Sequence, residues 1–79
     1  MSNIDERVTQ CFRNVFPALR PDEIRNASTS SLGAWDSVAQ VTLLSSIGEE
    51  FGIEPDMDDY DTLISFALIV AYLKQRLPG

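Results

Sequence analysis

Three stretches of this chain place apolar residues at intervals of three and four, and none shows a sustained alternation of apolar and polar residues. A period near 3.6 belongs to a helix buried along one stripe and a period of two to a strand, so the expected fold class is all-α. In the first stretch, Ile4, Val8, Cys11, Phe12, Val15 and Phe16 form the stripe and Pro17 ends it, since proline cannot continue a helical hydrogen-bond ladder. The second helix is expected to begin at Asp36 or Ser37 and to reach Phe51. Val38, Val41, Leu44, Ile47 and Phe51 share one face of it, Leu43 widens that face, and Gly52 supplies the stop. The third runs from an N-cap at Ser65 to Leu77, with Phe66, Ile69, Val70, Leu73 and Leu77 apolar. Lys74 and Arg76 lie near its C-terminus, where the helix dipole favours cations.

A connection of roughly twenty residues separates the first two helices, which is long for a compact domain. Leu19, Ile24, Leu32 and Trp35 are its expected anchors in the core. After the Glu54-Pro55 step, Asp56 to Asp61 reads as a loop or one short helical turn. The expectation is therefore a small four-helix bundle, three main helices and one short one, with a long loop between the first and second. It should close around Phe12, Phe16, Leu44, Ile47, Phe51, Phe66 and Leu73.

At 79 residues the chain holds a single domain spanning 1–79. It has one cysteine and no histidine, so neither an internal disulfide nor a Cys/His zinc site can staple the fold, and apolar burial has to hold it. A reducing compartment fits that composition. The opening MSNIDERV carries acids without an apolar run, and no stretch approaches the roughly 18 apolar residues that span a bilayer. A cytoplasmic, monomeric protein with no membrane association is expected.

Net charge is −6, and the basic residues Arg7, Arg13, Arg20, Arg25, Lys74 and Arg76 lie toward the two ends. From Asp36 to Asp61 every charged residue is an acid. That distribution argues against nucleic acid and for basic protein surfaces, or else simply for a solvated acidic face. The missing histidine also removes the base of Ser-His-Asp and Cys-His nucleophiles, so no enzyme activity is expected. Ser37 lacks the flanking glycines of a nucleophile elbow, and no lysine follows Gly33 as it would in a phosphate loop. Asp56 and Asp58 have the first two ligand spacings of a calcium loop. Asp61 stands where its glycine should be and Ala67 where its closing glutamate should be, so no metal site is expected.

Ser37 and Gln40 have the spacing of a Ser-x-x-Gln capping box, which would make the serine an ordinary N-cap. Asp36 is the alternative cap, and an Asp36 cap leaves Ser37 free to point outward. Trp35 is expected to anchor the loop in the core and Cys11 to act as a small buried hydrophobe.

The segment Leu32-Gly33-Ala34-Trp35-Asp36-Ser37-Val38 resembles the glycine-led Asp-Ser turn that opens the second helix in the acyl carrier protein family. The resemblance continues through Leu43-Leu44 and Gly48-Glu49-Glu50-Phe51-Gly52-Ile53-Glu54, and again through Thr62-Leu63-Ile64-Ser65 and Ala67 to Leu73. It implies a stand-alone carrier that holds acyl groups as thioesters on a 4'-phosphopantetheine arm attached to Ser37, with Asp36 as the flanking motif residue. A phosphopantetheinyl transferase would attach the arm. A ligase or acyltransferase would load it, and downstream biosynthetic enzymes would unload it. The implied partner surface comprises Val38, Ala39, Val41, Thr42, Glu49, Glu50, Asp56, Asp58 and Asp59.

Two departures qualify the match. Acids that fatty-acid members place soon after the serine are replaced here by Ala39 and Thr42, and Val38 stands in place of the more usual leucine. These point to a specialised pathway. An aminoacyl or peptidyl carrier with the same arm is the alternative within this chemistry, and a cofactor-free acidic helical interaction domain is the alternative outside it.

Overall fold

A computed structural model describes residues 3–76. Five helices follow one another: α1 (Ile4–Val15), α2 (Pro21–Arg25), α3 (Ser37–Phe51), α4 (Met57–Thr62) and α5 (Phe66–Arg76). The all-α class holds, and among the described residues there is no strand. The four-helix count does not hold, because the long connection contains a helix of its own. Pro21 opens α2 at a position where its missing N–H costs nothing. Glu23 Oε1 reaches back to accept from the backbone N–H of Arg20 at 3.0 Å. A single buried side chain, Ile24, holds the helix to the core. Five residues with one apolar anchor show no stripe, which is why periodicity passes over this turn.

The rest of the connection is pinned by backbone. Thr29 N–H donates to Ile64 O at 2.9 Å and Phe66 N–H to Ala27 O at 3.1 Å, which ties residues 27–29 across the entry to α5. Ala27 and Trp35 are buried, while Leu19 and Leu32 pack against the core half-buried.

Helix α1 lies against α3 and α5, and α2 leans on α1 and α5. Asn3 Oδ1 caps α1 by accepting from Glu6 N–H at 2.7 Å. Ser65 Oγ accepts from Leu68 N–H at 3.1 Å and so caps α5 as expected. The expected end of that helix at Leu77 lies outside the described residues. Gly52 takes the left-handed conformation at φ 68° and closes α3.

Aromatic packing organises the core. The Phe12 ring meets Trp35 edge-on at 5.2 Å and Phe66 at 5.5 Å, with Phe16 tilted against it at 6.1 Å, near the geometries that aromatic quadrupoles favour. Of the expected core, Phe12, Phe16, Leu44, Ile47, Phe66 and Leu73 are buried. Phe51 is only half-buried. Its ring lies under the Arg7 guanidinium at 4.3 Å, and the same guanidinium binds Glu50 through Nε to Oε2 and Nη2 to the backbone oxygen, both at 2.7 Å. Glu50 therefore has a counter-ion from α1, which the acidic run in the sequence conceals. No helix among the described residues is long and apolar enough to cross a membrane.

Candidate functional site

The site lies at the N-terminus of α3. Asp36 sits just outside the helix in extended conformation, and its Oδ1 accepts from Ala39 N–H at 2.9 Å. Its own backbone oxygen accepts from Gln40 N–H at 2.9 Å. Asp36 is thus the cap, and the Ser-x-x-Gln box does not form. Ser37, the first residue of the helix, is exposed, and its hydroxyl takes part in no hydrogen bond among the described residues. The helix start keeps the partial positive charge of its backbone N–H groups beside that hydroxyl.

Gln40 does something else. It is 7 % exposed, and its Oε1 accepts from Trp35 Nε1–H at 2.6 Å. Its Nε2 donates to Leu63 O at 2.8 Å and to Tyr60 O at 3.2 Å. A buried carboxamide with every group engaged adds rigidity where an unpaired one would destabilise. The result is a brace from the turn before α3 to the end of α4.

The buried stripe of α3 starts at Gln40 and is turned from the apolar stripe of the sequence. The inward residues are Gln40, Leu43, Leu44 and Ile47, spaced as one helical stripe. Val38 and Val41, which share the apolar stripe of the sequence and also belong to the implied partner surface, are 75 % and 51 % exposed. A stripe through Gln40 cannot also contain Val38 and Val41, and an apolar count has no means of favouring a glutamine as the inward residue.

Beside Ser37 opens a groove of about 430 Å³ between α3 and α4, with Trp35, Gln40, Val41, Tyr60, Asp61 and Ile64 among its walls. Met57, 87 % exposed, and Val41 border a neighbouring hollow with Pro55, Asp58 and Asp61. Ser37 and Val41 therefore face α4 across the groove, and Val38 stands exposed next to Ser37. Ala39 is half-buried, and Thr42 is exposed with its hydroxyl donating back to Val38 O at 3.1 Å.

The acids divide by environment. Glu49, Asp56 and Asp58 are exposed, whereas Glu50 faces Arg7. Asp59 is engaged inside the fold, with its Oδ2 accepting from Asp56 N–H at 2.7 Å and from Tyr72 Oη–H at 2.9 Å. No group of three or more His, Cys, Asp or Glu side chains among the described residues is arranged to hold a metal ion. Tyr60, Asp61 and Ile64 belong to the site but escape sequence reasoning, because only the packing of α4 and the turn after it onto α3 brings them beside Ser37; Gln40, one turn on from Ser37, reads from the sequence as a capping partner and not as a buried brace. Comparison with protein-family models, with curated proteins and with solved structures finds no match to this chain.

Proposed function

We propose that the chain is a carrier protein whose Ser37 takes a 4'-phosphopantetheine arm and presents acyl groups, bound as thioesters, to partner enzymes in a specialised biosynthetic pathway. The observation that carries the reading is the division of labour at the start of α3. Asp36 caps the helix, which leaves the Ser37 hydroxyl exposed and unengaged on a rigid helix end.

The residues fit such a group. Attachment joins Ser37 Oγ to the phosphorus of the pantetheine phosphate of coenzyme A and breaks the pyrophosphate bond. Adenosine 3',5'-bisphosphate leaves, and the hydroxyl proton passes to a base on the transferase. The product is a phosphodiester anion, which the N-terminal end of a 15-residue helix tolerates well. When bound, the arm supplies a terminal thiol that carries the acyl group. Val38 and Val41 offer exposed apolar contacts beside the attachment point, and Glu49, Asp56 and Asp58 add negative charge for partners with basic surfaces.

Intact-mass measurement tests this directly, after incubation with coenzyme A, magnesium and a broad-specificity phosphopantetheinyl transferase. One phosphopantetheinyl addition is expected on the wild type and none on Ser37→Ala. A wild-type mass that does not change would leave a cofactor-free acidic interaction domain as the better description.

A further inference from the structure

The groove beside Ser37 ends at a wall built from Trp35 and Gln40. Every polar group of the Gln40 side chain is engaged there, by the Trp35 indole on one side and by the Tyr60 and Leu63 carbonyls on the other. The buried stripe of α3 that starts at Gln40 continues through Leu43, Leu44 and Ile47 into the core, where Ile69 and Leu73 are also 1 % exposed or less. Among the described residues, no buried side-chain nitrogen or oxygen lacks a partner. A chain threaded from Ser37 past Gln40 toward that core would pull Gln40 away from the indole and from both carbonyls. The carboxamide, the indole N–H and the two carbonyls would then sit unpaired beside hydrocarbon, a loss that offsets the gain from burying the load.

We infer that Gln40 is the specificity-determining residue of this site: it bars the load from the core, so the acyl group lies along the open groove between α3 and α4. The inference rests on the carrier reading of Ser37. It assigns the favoured load as a short or polar acyl group, because the groove is open to water and a long alkyl chain lying along it keeps much of its apolar surface exposed. The load stays within reach of solvent and of partner enzymes.

The test uses protein loaded by a broad-specificity transferase from acetyl-, octanoyl- and dodecanoyl-coenzyme A. The transfer makes the Ser37 Oγ–phosphorus bond, releases adenosine 3',5'-bisphosphate and leaves the thioester intact. Each product is verified by mass, so failure of the carrier reading appears first, as a missing addition. Two quantities are then read across the series: the thermal midpoint, and the hydrogen-exchange rate of the Trp35 indole N–H, a unique resonance because the chain has one tryptophan. Both are expected to be independent of acyl length. A midpoint that climbs from acetyl to dodecanoyl, or an indole that exchanges at a different rate in the dodecanoyl form, overturns the inference. Gln40→Leu is expected to acquire the length dependence that the wild type lacks, and a folded variant whose midpoint stays flat also counts against Gln40. Should that variant not fold, the indole exchange of the loaded wild type decides the question alone.

Discussion

Asp36 Oδ1 accepts the backbone N–H of Ala39 at 2.9 Å, across the first turn of α3 and directly beside Ser37. Adjacent residues with similar capping preferences thus take different roles. The aspartate satisfies the helix end, and the serine hydroxyl stays in solvent.

Substitution should separate the two. Asp36→Ala removes a cap and is expected to lower stability by about 0.5–2 kcal/mol. Ser37→Ala removes an exposed hydroxyl with no partner and should change stability by less than about 0.5 kcal/mol. Urea unfolding followed by far-ultraviolet circular dichroism measures both. Equal losses would mean that Ser37 shares the cap.

Gly48 tests how closely the turn after α3 approaches the helix. An added Cβ would sit 2.7 Å from the backbone oxygen of Ile53, whose own N–H donates to Gly48 O at 3.0 Å. Alanine gains about 0.5–1 kcal/mol in helix propensity, but forcing the backbone apart typically costs about 1–3 kcal/mol. The clash should win, so Gly48→Ala is expected to lower the urea midpoint. A raised midpoint would show that residues 52–55 yield without loss.

Alkaline pH should destabilise the fold through two groups. Burial pushes the Tyr72 hydroxyl above its ordinary value, helped by its hydrogen bond to Asp59 and the charge of that carboxylate. Burial also pushes the Cys11 thiol up. In both cases the neutral form is favoured in the folded state, so above the unfolded value the native protein holds more protons than the unfolded chain. Their contribution is complete below pH about 8.5 for the thiol and about 10 for the phenol, and is lost as pH rises through the higher folded values. Tyrosine absorbance titrated in a Tyr60→Phe, Cys11→Ala background isolates Tyr72, because the chain has two tyrosines. Asp59→Asn, which removes the neighbouring charge, is expected to move its ionisation part of the way back down, and an unmoved titration curve would leave burial as the whole cause and refute the Asp59 contribution.

Much of the helical layout is legible from residue spacing. Burial of Val8, Cys11 and Phe12 on α1 and of Phe16 at its C-cap follows from a periodic stripe, the Ser65 cap from a local preference, and the stop at Gly52 from a conformation that glycine adopts without strain. Each rests on interactions within a few residues of chain. Helix α2 escapes because one buried isoleucine in five residues carries no periodicity. The Arg7 bridge to Glu50 escapes because its partners are 43 residues apart.

At the site the same boundary runs between neighbouring residues. The Asp-Ser pair at a helix start can be read from the chain, because capping is local chemistry. Which of the two oxygens caps, and which way α3 faces, is settled only when Gln40 finds Trp35 on one side and the Tyr60 and Leu63 carbonyls on the other. A glutamine is buried only if distant groups meet all of its hydrogen-bonding capacity, and those groups come together only in the folded chain.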